Sequence, residues 1–412
     1  MDNSSFEIKL DNTHNAFIYK SDSGLNKANI LFSAMSYPWL VKAGITLTQW
    51  ALRMKLPILG LIRKTIFEQF VGGETLEDNA PVVMMLGKHH VRVILDYGVE
   101  GGESSEQAFD HARDEFIRVV EYAGSQSNIP FISIKVTGIS RFGLLEKLDR
   151  SIDAQPGSLM KRFDAALASL PDEERAEWQR VYERMDAICQ TAAMCGVGVL
   201  IDAEETWIQD PVDELAIRMM DIHNRKKAVV FNTAQLYRHD RLSFVRDSVE
   251  AADLRGFVLG IKLVRGAYME KERGRAVSMG YTSPIQVDKS STDRDFDEAI
   301  RICIDRIDRV SVIVASHNEN SNLLATRLLQ ERGLPPNHPH IHFSQLFGMS
   351  DHITFNLAAA GFGVSKYLPF GPIRDVIPYL MRRAQENTSV AGQTGRELML
   401  IRKELKDRKL HR

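Results

Sequence analysis

Cysteine is scarce in this chain: among 412 residues only Cys189, Cys195 and Cys303 carry a thiol. They form no CxxC pair and no zinc-holding spacing, so no disulfide framework is expected and a reducing compartment is. An excess of one charge is missing too. A formal net charge of -2 gives no reason to expect nucleic acid as a partner. No run approaches the roughly 18 consecutive apolar residues that a membrane-spanning helix needs. The opening residues, MDNSSFEIKL, lack a basic segment followed by an apolar one. No secretory leader is therefore expected, and the location is read as cytoplasmic. No strand-like segment leads into GxGxxG, and Gly196 and Gly198 lie inside a strand, which argues against a doubly wound dinucleotide fold. Internal repeats and low-complexity segments are absent as well.

What is present is the composition of a globular protein with a large core, 44% hydrophobic and 26% charged. From Val91 onward, segments 91–97, 131–136, 196–203, 228–234, 256–267, 310–316, 340–346 and 361–370 read as strands. Charged amphipathic stretches such as 106–123 and 293–307 separate them. Eight β-α units over roughly 300 residues predict an α/β fold, a (β/α)8 TIM-like barrel with an N-terminal helical segment. The expected divisions are 1–88 for that segment, 89–390 for the barrel with a helical insertion at 138–195, and 391–412 for a C-terminal helical tail. Residues 28–71 are apolar, with Trp39, Trp50 and Phe70 among aliphatics and breaks at Pro38 and Pro57. They are expected to form two or three helices docked on the barrel, a membrane-surface role being the lesser alternative.

Ligand chemistry in a barrel sits at the C-terminal ends of the strands. Outer positions are covered by helices, so the apolar set of each strand faces out. By that phase Lys135 on strand 2, Asp202 and Glu204 on strand 3, Gln235 on strand 4 and Lys262 on strand 5 face the lumen. Strand 6 ends in Ser316-His317-Asn318. The eighth unit, GFGVSKYLPFGPIRDVIPYLMRRAQEN at 361–387, turns at Gly371-Pro372 into a helix expected from about Asp375, with Pro378 in its first turn. Tyr379, Arg382, Arg383 and Glu386 then share one flank. Paired guanidinium groups grip carboxylates well, although an i,i+4 pair of Arg382 with Glu386 on a solvated face would look the same. So many charges in one lumen favour a bound anionic ligand over a buried ion-pair network. His338, His340 and His342 imitate a metal motif, but they open strand 7 at the bottom of the barrel, so no metal is expected there.

KLVRGAYMEKER at 262–273, LIDAEET at 200–206, VASHN at 314–318 and YLMRRAQEN at 379–387 resemble the signatures of the proline dehydrogenase (proline oxidase) family of flavoenzymes. LDYGVEG, ISIKVTGI, NTAQLY and QLFGM follow the family order too, and the likeness spans about 90 to 390. KLVRGAY stands where bifunctional bacterial members read RLVKGAY, which resembles the monofunctional, eukaryotic-type branch; a chain of this length leaves no room for an aldehyde dehydrogenase domain. The resemblance implies non-covalent FAD and oxidation of L-proline to 1-pyrroline-5-carboxylate, with 4-hydroxyproline as the alternative substrate. It also implies a membrane quinone as electron acceptor and peripheral contact with the inner face of a membrane. Carried over residue by residue, it gives Lys135, Arg382 and Arg383 to the proline carboxylate and Tyr367 to the substrate ring. Asp202 and Lys262 fall beside the flavin ring as the catalytic pair. Ile201, Gln235, Arg265, Gly266, Ala267, Ser316, His317 and Glu386 fall to the cofactor. Glu100, in LDYGVE, would be the carboxylate gating the site against Arg382. A metal-dependent barrel hydrolase and a non-enzymatic amino-acid sensor are the rival classes.

Overall fold

A strand with helices on one side and a lumen on the other alternates between two environments, and the chain follows that rule. The computed structural model describes residues 8–54, 56–98, 105–389 and 393–410. Its strands are β1 (Arg92–Tyr97), β2 (Phe131–Ile134), β3 (Gly198–Ile201), β4 (Val230–Gln235), β5 (Leu259–Val264), β6 (Val310–Ala315), β7 (Ile341–Leu346) and β8 (Val364–Phe370). All neighbours are parallel, and β1 pairs with both β2 and β8, so the eight strands close into a barrel in sequence order. Ile132, Ile134, Val199, Ile201, Ile261 and Leu263 lie in the main core under the helices. Ile94, Leu200, Phe231 and Ile313 form a separate cluster inside the lumen.

Several strands are shorter than their apolar runs suggest. Gly196 adopts φ 71 as the cap of the helix Asp172–Cys195, so β3 starts only at Gly198. Val136–Gly138 tightens into a 3-10 turn and ends β2 early. The insertion holds three helices, Phe142–Asp153, Leu159–Ala168 and Asp172–Cys195.

The end of the barrel departs from a regular repeat. The flank of β1 is covered by helix Leu76–Lys88, whose Leu76, Val83 and Leu86 pack with Val91, Val93 and Leu95. Just before it, Gly72 N–H bonds Pro369 O at 2.9 Å and Gly73 bridges Phe370, which stitches this segment to β8. The helix after β8, Ile373–Ser389, packs instead against the N-terminal and C-terminal helices through Ile373, Val376, Ile377, Leu380 and Ala384. It begins two residues before the expected Asp375, and Pro378 lies inside it rather than in the first turn. The cause is a distant cap: Glu74 Oε2 accepts from Ile373 N–H at 3.2 Å. Residues 28–71 dock only in part. Phe32, Phe67 and Phe70 are buried, whereas Trp39 and Trp50 face outward.

Candidate active site

The inward phase of β2, β3, β5 and β8 brings charged side chains to the C-terminal mouth of the lumen. Lys262 on β5 donates to Asp202, which follows β3, and Tyr367 Oη on β8 donates to the other carboxylate oxygen at 2.7 Å. The Lys262 ammonium also lies 5.6 Å from the centre of the Tyr367 ring. Lys135 Nζ stands 4.0 Å from Asp96 Oδ1, the inward carboxylate of β1. Burial opposes a charge on Asp202, but Lys262 and Lys135, helped by the hydrogen bonds of Lys262 and Tyr367, outweigh it and hold the carboxyl below its usual range. Tyr367 is shifted the other way, well up, by burial first and then by Asp202 and Asp96. The result is an ionised aspartate, an ammonium and a neutral phenol at one place.

Glu204, two residues past Asp202, accepts from Thr137 Oγ1 at 2.9 Å through both oxygens. Burial pushes its carboxyl up to about 7, with Lys135 and the Thr137 hydroxyl resisting and Glu205 assisting. Tyr268, on the loop after β5, is raised chiefly by burial and next by Glu204, while Lys135 and Arg382 act to lower it. Arg382 therefore lies within electrostatic reach of Tyr268, just past β5. Arg383, buried and set over the Tyr379 ring at 5.1 Å, acts likewise on His317 after β6. Helix Ile373–Ser389 thus carries both arginines toward the mouth, propped mainly by the terminal helices.

A second polar surface follows β4 to β6. Arg265 holds Asp293 Oδ1 at 2.8 Å, Ser316 Oγ at 2.7 Å and Ser321 Oγ at 3.0 Å, with its guanidinium 4.3 Å from the centre of the Phe296 ring. His317 Nδ1 meets Ser350 Oγ at 3.0 Å. Burial, then the nearby Lys366, Arg383, His352 and Arg265, lower His317 to about 3, so its ring is neutral near pH 7. Buried Gln235 Oε1 has no hydrogen-bond partner among the described residues. Gly266 sits at φ 128 with the Tyr237 ring 2.5 Å from where a Cβ would be, so the chain passes there only as glycine.

A profile of the proline dehydrogenase family matches residues 81–396. The chain belongs to the proline dehydrogenase family of oxidoreductases. Mitochondrial proline dehydrogenase 1 of Dictyostelium discoideum is 30% identical over 386 residues, 87% of this chain and 67% of that protein. Hydroxyproline dehydrogenase of Xenopus laevis is 30% identical over 413 residues, covering 95% and 88%. The carbapenem antibiotics biosynthesis protein CarD of Pectobacterium carotovorum is 34% identical over 336 residues, 82% of each chain. Among solved structures, proline utilization A from Bdellovibrio bacteriovorus, inactivated by N-propargylglycine, superposes with a TM-score of 0.67 at 19% identity. The match covers 81% of this chain but only 34% of that one, so this chain spans about a third of the solved protein and the likeness is one of fold.

Of the residues singled out from a proline dehydrogenase resemblance, Lys135, Asp202, Lys262 and Tyr367 meet at one mouth, with Arg382 and Arg383 on the helix above it. Gln235, Arg265, Gly266, Ser316 and His317 lie at the neighbouring strand ends; Ile201 is buried in the outer core and offers this surface only its backbone, whose carbonyl takes the Thr233 hydroxyl at 2.7 Å. Ala267 is exposed. Glu386 belongs to the helix, but its side chain, like the whole of Glu100, lies outside the described residues. His342 faces Phe131 at the base of the lumen and bonds Ser365 Oγ at 2.6 Å, in keeping with plain strand alternation. Two site residues escaped the sequence reading. Asp96 was legible in principle, since it shares the inward phase of Ile94. Tyr268 lies beyond β5, where alternation no longer tells which way a side chain points.

Proposed function

We propose that this protein oxidises L-proline to 1-pyrroline-5-carboxylate with a non-covalently held FAD, passing the electrons on to a membrane quinone. One observation carries the reading: the helix bearing Arg382 and Arg383 lies over a mouth already furnished with Lys135, Lys262, Asp202 and Tyr367. Arg382, Arg383 and Lys135 bind the proline carboxylate, each charge-assisted hydrogen bond contributing about 1.5–3 kcal/mol. That anchor fixes the orientation of the ring, and the Tyr367 ring, pinned through its hydroxyl by Asp202, packs against it. Asp202 in turn orients Lys262, whose ammonium stabilises negative charge developing opposite C5 of the substrate.

The donor set after β4 to β6 fits FAD. An orphaned buried amide oxygen on Gln235, a backbone kept bare at Gly266, and the Arg265, Ser316 and His317 cluster suit a flavin and its phosphates. When bound, FAD supplies the hydride acceptor. Ile201, Ala267 and Glu386 complete the set that would hold it.

The test is a visible spectrum of the purified protein before and after anaerobic addition of L-proline. Flavin bands that bleach with proline are expected; a colourless protein, or bands indifferent to proline, would overturn the reading. Relatives include hydroxyproline dehydrogenases, and Tyr367 discriminates between the substrates. A full tyrosine whose hydroxyl is already engaged by Asp202 crowds a ring hydroxyl or buries it poorly paired, at a cost of about 1–3 kcal/mol. The expected preference for L-proline over trans-4-hydroxy-L-proline is roughly ten- to a hundredfold in kcat/KM. Tyr367→Ser should narrow it, chiefly by loss of activity on proline. Equal efficiencies in the wild type would refute this pocket.

A further inference from the structure

Helix Pro38–Arg53 is dressed for two apolar neighbours and has one. Of its 16 residues only Ala51 is buried. Its inner side, Val41, Ile45 and Leu52, rests on the cluster that contains Phe32, Phe70 and Ile377. Its outer side presents Trp39 (67% exposed), Leu47 (62%) and Trp50 (53%), with Met54 just past the end. Steps of eight, three and four residues keep these side chains on one stripe. Tyr37, just before the helix, and Ile30 and Leu61 on the flanking helices are exposed as well. A helix apolar on opposite sides calls for a cover on both.

Charge identifies the cover. From residue 23 to residue 67 the sequence contains no Asp or Glu, against Lys27, Lys42, Arg53, Lys55, Arg63 and Lys64. Lys27 is used internally on Glu68 at 2.9 Å and Arg63 on Glu74, while Lys42, Arg53 and Lys64 are exposed. Tryptophans and aliphatics flanked only by cations match acyl chains beneath anionic headgroups. A two-fold contact between copies would set this cationic band against itself. Helices Asp22–Met35 and Pro38–Arg53 meet at a bend of 97°. We propose that the outer face of 37–54 docks the protein on a bilayer carrying anionic lipid, by shallow insertion of Trp39, Leu47, Trp50 and Met54. The same helix touches the arginine-bearing one: Gln49 Nε2 lies 3.8 Å from Met381 Sδ, the neighbour of Arg382.

The surface is independent of the proline reading, and its test reads binding rather than turnover. The full chain is sedimented with vesicles of phosphatidylcholine alone and of phosphatidylcholine mixed with phosphatidylglycerol. Binding to the mixed vesicles, weakened by added salt, is expected. Leu47→Glu combined with Trp50→Ser should weaken it at least tenfold while the unfolding midpoint and dye-linked turnover in solution stay as in the wild type. A chain that stays in the supernatant with both vesicles, or a variant that binds as well as the wild type, overturns the proposal. So does a wild-type dimer, seen by light scattering and abolished by the double variant, in a chain that ignores vesicles; the stripe would then join two copies. Vesicle binding by a protein that leaves proline untouched would leave this surface standing and remove only the enzymatic reading.

Discussion

Two lysine–aspartate–tyrosine groups stand back to back across β8. Inside, Tyr367 donates to Asp202 at 2.7 Å and Lys262 completes the group; outside, Tyr19 donates to Asp351 at 2.7 Å and Lys366 lies 2.8 Å from the same carboxylate. Adjacent residues of one strand, Lys366 and Tyr367, serve one group each. In both, burial opposes the aspartate's charge and the lysines prevail, so Asp202 and Asp351 alike are held below the usual carboxylate range. The difference lies in what else surrounds them. The Lys366 and Asp351 side chains are 0% and 1% exposed, and Met349 O takes the ammonium at 2.5 Å, with Lys20 3.9 Å from the carboxylate. The Lys262 and Asp202 side chains keep 6% and 14%, at a mouth overlooked by Arg382 and Arg383. The same chemistry ties the N-terminal segment to the barrel on one face and stands at the mouth of the lumen on the other. A buried ion pair alone is therefore no sign of catalysis; access is.

Breaking the outer group should have the largest effect. Lys366→Met strands Asp351 in the core, and removing one member of a buried pair costs about 3–5 kcal/mol. Denaturant unfolding should register that loss, while flavin reduction in the fraction still folded remains near the wild-type rate. Lys366→Met with Asp351→Leu should recover most of the stability; no recovery would mean that the ion pair is not what the outer group contributes. Lys262→Ala should do the reverse. Losing an oriented charge where negative charge develops slows the chemical step by roughly 100- to 1,000-fold, and Asp202 retains Tyr367 and nearby Lys135. Stopped-flow reduction at saturating proline measures this, and a wild-type rate would remove Lys262 from the reaction. Arg382→Met and Arg383→Met come next. If they bind the carboxylate as proposed, each change removes one contact and should raise KM for proline at least about tenfold with flavin still bound. An unchanged KM in both would return the pair to an ordinary helix surface.

The inner group was legible in the sequence and the outer one was not, for a physical reason. Alternation with helices outside assigns Lys135, Asp202, Gln235 and Lys262 to the lumen without any coordinates, because a covered strand face must be apolar. Lys366 breaks that rule: it points out from β8 yet is fully buried, made tolerable by Asp351 and by Tyr19 from the far end of the chain. Pairings over such separations leave no local mark. The same holds for the start of helix Ile373–Ser389, capped by Glu74 and propped by the terminal helices; its arginines were assigned to the pocket from the sequence, but not the packing that carries them there. Trp39 and Trp50 are a different case, exposed on a segment that docks only in part. Apolar content says that a helix wants cover, but not whether protein or lipid provides it.

Glu204 offers the sharpest test, because it has the burial of both groups without a lysine hydrogen-bonded to it among the contacts described. Asp202, bonded to Lys262, moves down; Glu204, bonded to Thr137 and only influenced by Lys135, is carried by burial from the ordinary 4.5 to about 7. The folded chain then keeps this proton to a higher pH than the unfolded chain does. The stability gained is complete below about 4.5 and is lost as the pH rises through about 7. Glu204→Gln, neutral at every pH, should flatten the wild-type decline in unfolding free energy across that window. Asp202→Asn should act with the opposite sign: the stability its low value provides is present above the ordinary 3.8 and is lost as the pH falls through the folded value. Urea unfolding at a series of pH values, without proline, measures both. If the curves for wild type and Glu204→Gln run parallel from 4.5 to 7, burial is not what governs this carboxyl, and the contrast between the two neighbouring acids disappears.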